Sequence, residues 1–170
     1  NGITALMYAS TRQVEVVREL LRRSARVNVQ DDRGGTALIH AAFKGELAIL
    51  RLLISHSANV DLQARSGGTA LMHAAEARRE SCVRELLQAQ ANVELLDKSG
   101  RTALDIADEE DNKSKCHSGI AELLRRHMAA SAPPTASKDG ATASDAAPAA
   151  VEIEGEAAST ASAVPPACSP

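Results

Sequence analysis

His40 and His73 stand at matching places in two near-identical strings, so a repeating fold would bring them near each other. Two imidazoles can ligate zinc, but no third ligand of evident spacing accompanies them, and ordinary packing is the plainer expectation. Cys82 falls at helical spacing with Val83, Leu86 and Leu87 and reads as a small buried hydrophobe. A nucleophile there would need an oriented base and an open pocket. Cys116 and His117 adjoin Lys113 and Lys115, a setting that favours thiol oxidation. A tolerated surface insertion is the simpler reading of that stretch. Asp108-Glu109-Glu110-Asp111 lacks the alternating ligands and central glycine of a calcium loop and predicts a solvated acidic turn. Gly34-Gly35 and Gly67-Gly68 have no preceding strand and no following Lys-Ser/Thr, so they serve turn geometry rather than phosphate binding. No Ser/His/Asp or metal set gathers in one place. The residues predict no catalysis, no metal and no cofactor.

The elements that must position these residues recur. Gly35-Thr36-Ala37-Leu38-Ile39-His40-Ala41-Ala42 is nearly repeated as Gly68-Thr69-Ala70-Leu71-Met72-His73-Ala74-Ala75. Ile3-Thr4-Ala5-Leu6-Met7-Tyr8-Ala9-Ser10 precedes it, and Arg101-Thr102-Ala103-Leu104-Asp105-Ile106-Ala107 follows. Thr4, Thr36, Thr69 and Thr102 are spaced by 32, 33 and 33 residues. A fixed period of this size marks a stack of supersecondary units, none of which can bury its apolar face alone.

Composition narrows the function. A net charge of −3 argues against a general nucleic-acid or membrane-surface binder. Tyr8 and Phe43 are the only aromatic residues, too few for a base-stacking platform. Cys82, Cys116 and Cys168 are far apart and odd in number, which supports neither a zinc site nor a disulfide framework. A reducing, intracellular setting is expected, with cytoplasm and nucleus not distinguished. No apolar run reaches the length of a membrane span. The chain opens with Asn inside a repeat and without a visible signal peptide, which predicts a piece of a longer protein.

In chain order, Thr4 caps a helix from Ala5 to about Thr11. Val14, Val17, Leu20 and Leu21 mark the buried face of a second helix, with Val16 beside it. Thr36–Lys44 and Glu46–His56 form the next pair, joined at Gly45; the second of these is apolar on most sides, as suits a helix held between neighbours. Thr69–Ala77 and about Arg79–Ala89 follow, with Arg78 where Gly45 stood. The last unit opens at Thr102 with Asp105 three residues on, as in a capping box. A charged insertion, Asp108–His117, then precedes a helix over Ile120–Met128. Residues 129–170 are rich in Ala, Pro, Ser and Thr without an apolar period, and predict a disordered tail. Val151-Glu152-Ile153-Glu154 is the one patterned stretch within it.

The string Asp-x-x-Gly-x-Thr-Ala-Leu-x-x-Ala-Ala, an apolar helix, and then Ala-x-Val-Asn/Asp resembles the ankyrin repeat. It runs from Asp31 to Asp61, recurs from Gly67 to Glu94, and starts again at Asp97. The resemblance covers 1–128, with repeats of about 1–30, 31–63, 64–96 and 97–128. It implies an all-α solenoid of paired antiparallel helices with hairpin-like fingers, stacked right-handedly. It implies protein–protein binding through the finger tips and the concave face of the first helices, as a scaffold without chemistry of its own; a monomer is expected. By that register Asp32, Arg33, Arg65, Ser66, Lys98, Ser99 and Arg101 line the fingers, and Phe43, Lys44 and Glu76 share the concave side. Two roles stand open for Phe43: an exposed anchor for a partner, or local packing on the next repeat. Three rivals to the binding module also stand open. One is a regulatory or targeting segment of a larger enzyme or channel whose active domain lies outside this chain. Another is an enzyme within these residues, which nothing beyond scattered His and Cys supports. The third is a mere spacer.

The chain departs from the family pattern at three places. Ala5, Ala37, Ala70 and Ala103 replace the proline that pre-sets the first helical position. Met7, Ile39, Met72 and Asp105 replace its histidine. Ser24, Ser57 and Gln90 stand where glycine closes the second helix, and each would cost about 1 kcal/mol in a left-handed conformation. A stack of modest stability is expected.

Overall fold

The computed structural model describes residues 2–114 and 119–131, and the stretches expected to be disordered or redox-sensitive, Cys116-His117 and the tail from residue 132, lie outside them. The described residues form eight helices and no strand. They are α1 (Ala5–Ala9), α2 (Val14–Arg22), α3 (Ala37–Lys44), α4 (Leu47–Ser55), α5 (Ala70–Glu76), α6 (Glu80–Gln88), α7 (Ala103–Ser114) and α8 (Ile120–Ser131). Consecutive helices pair, and each pair stacks on the next. First helices α1, α3, α5 and α7 form one layer, and second helices α2, α4, α6 and α8 the other.

The recurring threonines start the first helices. Thr4, Thr36, Thr69 and Thr102 each accept a hydrogen bond from the N–H three residues on, at 3.2–3.3 Å. That side-chain oxygen satisfies one of the donors every helix start leaves open. The reciprocal bond varies with the residue three places on. Asp105 accepts from the Thr102 N–H at 2.8 Å. Met7 and Met72 offer thioether sulfur at 3.4 and 3.5 Å, a weak acceptor. Ile39 offers none.

The helix ends share one device. Ala58 N donates to the Leu53 carbonyl and Ser57 N to that of Ile54, both at 3.0 Å. This doubled bond turns the chain sharply and needs a left-handed residue. Ser24, Ser57 and Gln90 adopt it at φ 59, 61 and 60°, so the backbone that the resemblance implies is retained without its glycines. Arg78 adopts it as well, at φ 57°. The sequence reading noted the absent glycine there but assigned no strain. Arg78 keeps a use for its side chain: Nη2 lies 3.3 Å from Oδ1 of Asp111 on α7.

The core is aliphatic and small. Leu38, Ile49, Leu50, Leu53, Leu71, Leu86 and Leu124 are buried, and so are Ala41, Ala42, Ala74 and Ala75 at the contact between first helices. Cys82, Val83, Leu86 and Leu87 face inward as their spacing indicated. Val16 is 45 % exposed, whereas Ile49 and Cys82, one and two units later, are fully covered. Nothing in the described residues lies over that face of α2.

Two expectations about the last unit need correction. Asp108–Asp111 is not a solvated turn, and the charged insertion is not a loop as far as Ser114; both continue α7. Lys113 bonds Glu109 and Glu110 one turn back at 2.9 and 3.0 Å, and Arg125 on α8 grips Asp108. These pairs at helical spacing favour the longer helix. Helix α8 also runs on to Ser131 through Ala129 and Ala130, which are strong helix formers.

Ser57→Gly removes the Cβ penalty at a left-handed position and retains the Ser57 carbonyl that Asn28 binds. Stability should rise by about 1 kcal/mol, raising Tm by about 4 °C. Thermal unfolding followed by circular dichroism checks this, and an unchanged or lower midpoint contradicts it.

Candidate functional site

Between units, the connecting segments form a ladder at the repeat spacing. Gln30 Nε2 donates to its own turn at Gly34 O, 3.0 Å, and to Gln63 O in the next unit, 2.9 Å. Gln63 repeats both bonds, to Gly67 O and Leu96 O. Asn28 accepts from Asn59 N, and Asp61 from Asn92 N, each at 2.8 Å. At the finger tips Arg65 N donates to Arg33 O at 2.8 Å, and Lys98 N to Ser66 O at 2.9 Å. Adjacent tips are therefore held in register by backbone bonds.

Aspartates fix the turns from inside. Asp31 Oδ1 accepts from Arg33 N and Gly35 N at 2.8 and 2.7 Å, and Oδ2 lies 3.3 Å from His40 Nε2. Asp97 Oδ1 likewise accepts from Ser99 N and Arg101 N. Burial works to raise the Asp31 carboxyl, but the Gly35 and Arg33 N–H groups and His40 outweigh it and hold it below the usual range. The Arg101 backbone N–H leads in holding Asp97 down. In the unit between them Ala64 occupies the aspartate position, and only a long 3.4 Å bond joins Gly68 N to Ser66 Oγ.

The fingers and first helices of the second and third units enclose a groove of about 540 Å³. Asp32, Arg33, Arg65 and Ser66 rim it on the finger side. Ile39, Phe43 and Glu76 face it from α3 and α5. Phe43 is 43 % exposed. Its ring meets His73 edge-on at 6.4 Å between centroids, Lys44 Nζ lies 5.7 Å over its face, and Arg79 Nε donates to its carbonyl at 3.3 Å. The two roles left open for Phe43 are thus compatible: the ring meets His73 of the next unit, and part of it stays exposed beside Lys44. A smaller cavity of about 200 Å³ adjoins, sharing Ser66, His73 and Glu76 and reaching Arg101 and Lys113.

All ten residues singled out in the sequence are exposed, but they are not one constellation. The larger groove unites Asp32, Arg33, Phe43, Arg65, Ser66 and Glu76, with Lys44 over the Phe43 ring. Arg101 belongs to the adjoining cavity and is held between Asp97 and Glu109, both at 2.9 Å. Lys98 and Ser99 lie on the finger beyond either cavity. Sequence reasoning missed Asp31, Ile39, His40, Ala64 and His73 as lining residues. The shared place of the two histidines was the available signal, but it was read only for metal. His40 pairs with Asp31, whereas His73 meets Phe43 and Glu76. Among the described residues no group of three or more His, Cys, Asp or Glu could hold a metal ion. Cys82 is buried, and that burial pushes its thiol up, which weakens it as a nucleophile.

A family model described as ankyrin repeats in three copies matches residues 1–64 and, overlapping, 57–135. The chain belongs to the ankyrin-repeat family. No curated protein matches it. Ankyrin repeats are in general protein–protein interaction modules and are typically non-catalytic. No helix among the described residues is long and apolar enough to cross a membrane.

The ankyrin fingers should show their carboxylates in acid. Asp31 and Asp97 are depressed in the folded state, so their contribution is complete above the ordinary carboxylate pKa of about 3.9. It is lost as pH falls through their lower folded values. Asp31→Asn should flatten the fall of Tm with pH below about 4; an acid limb as steep as wild type contradicts the assignment. Ala64→Asp should supply the missing finger carboxylate and stabilise by about 1 kcal/mol at neutral pH, read in urea unfolding. A destabilised variant would show that the third finger cannot seat it.

Proposed function

We propose that this ankyrin stack, read as repeats of about 1–30, 31–63, 64–96 and 97–128, captures a partner protein in the groove between its second and third fingers and helices α3 and α5. Phe43 is the apolar anchor, and Arg33, Arg65, Asp32, Ser66, Lys44 and Glu76 surround it. Lys98, Ser99 and Arg101 extend the surface along the fingers. The protein supplies no chemistry of its own. A single observation carries the reading. Phe43 stays 43 % exposed in the groove while its ring is met by His73 of the next unit and Lys44 of its own helix. An aromatic side chain already ordered before binding loses little entropy on contact, and binding energy concentrates on such anchors.

A Phe43→Ala, Arg65→Ala double variant tests it. Affinity capture beside wild type, with bound proteins compared quantitatively, should lose a specific partner by tenfold or more while Tm stays unchanged. Equal capture by both proteins would favour the spacer reading. A falling Tm would assign Phe43 to structure instead.

A further inference from the structure

The charged groups around the groove differ in what they already hold. Asp31 accepts two backbone N–H groups and lies against His40. Glu76 lies 3.2 Å from His73. The Arg33 and Arg65 guanidinium groups, by contrast, take part in no ion pair among the described residues. They spring from adjacent rungs, because Arg65 N donates to Arg33 O. Two arginines without an ion pair therefore line one groove from adjacent rungs, together with apolar Ile39, Ala64 and Phe43.

Resting on the protein-binding reading above, we propose that the groove takes a peptide segment carrying a carboxylate beside a large apolar side chain. The apolar group covers the exposed face of Phe43 and reaches Ile39. The carboxylate lies between the Arg33 and Arg65 guanidiniums, whose planar N–H edges suit it. A cationic segment would meet the two arginines, while the Asp31 and Glu76 carboxylates beside them already hold partners. An extended polyphosphate would meet Asp31, Asp32 and Glu76 in the same groove, whereas one carboxylate can stop at the arginines. The groove, at about 540 Å³, holds a side chain and its flanks rather than a folded domain.

Selection from a displayed library of random nonapeptides on the full chain tests the inference. The enriched peptides should carry Asp or Glu within two residues of Phe, Leu, Ile or Met. One enriched peptide, labelled and followed by fluorescence anisotropy, should lose at least tenfold in affinity on Arg33→Glu, Arg65→Glu and on Phe43→Ala. Selection repeated on the charge-reversed variant should shift towards Lys and Arg. Both arginines are exposed, so that variant keeps the test valid even where Phe43→Ala perturbs folding. Enrichment that depends on Phe43 but shows no acidic preference overturns the carboxylate inference and leaves protein binding standing. No enrichment that depends on any of these three residues overturns both.

Discussion

The stack depends on how closely successive first helices approach, and alanine sets that distance. Ala41 and Ala42 of α3 and Ala74 and Ala75 of α5 are almost completely buried, as are Ala37, Ala70 and Ala103, the first residues of α3, α5 and α7. A larger side chain at these places would force the helices apart. The ladder bonds of Gln30, Gln63, Asn28 and Asp61 could then no longer span from one unit to the next. Tight spacing and polar bridging are therefore one constraint. It is met with little help from aromatic burial, since Tyr8 and Phe43 are both exposed.

The groove is a by-product of that spacing. Backbone bonds between finger tips place Arg33 next to Arg65, and helix packing places Phe43 against His73. Neither pair is close in sequence, and neither needs a ligand to form. The scaffold thus fixes the backbone under both arginines and sets the Phe43 ring against the next unit. Asp31, from beneath, keeps the second finger's turn rigid through its two N–H bonds.

Much of this was legible because the sequence repeats itself. Four threonine-led strings fixed the first helices, and the interleaved Leu, Val and Ile fixed the second. The left-handed closures at Ser24, Ser57 and Gln90 were implied by the resemblance to the ankyrin repeat, which places glycine there. What escaped was whatever breaks the repeat. Arg78 takes a glycine's conformation, and only its pairing with Asp111, 33 residues on, shows what its side chain does there. Helix α7 runs through a charged stretch because Arg125 and Lys113 hold its carboxylates, one pair arising from another helix. The groove was half visible. Its exposed rim could be read from register, but its lining at His73, Ala64 and Asp31 depends on which unit faces which.

The ladder also makes the protein's length a counted quantity. Gln30 reaches Gln63 and Gln63 reaches Leu96, each 33 residues away. Every such bond links one unit only to its immediate neighbour. Removing or adding a whole period would reconnect each donor to an equivalent acceptor, whereas a gain or loss of a few residues within a finger would leave donors facing the wrong rung. The shortened first unit shows where slack is tolerated: its missing residue falls at Thr11–Gln13, between α1 and α2, away from the ladder. A lineage of such proteins can change in size by whole rungs, and can vary freely only in the turns that no neighbour reads.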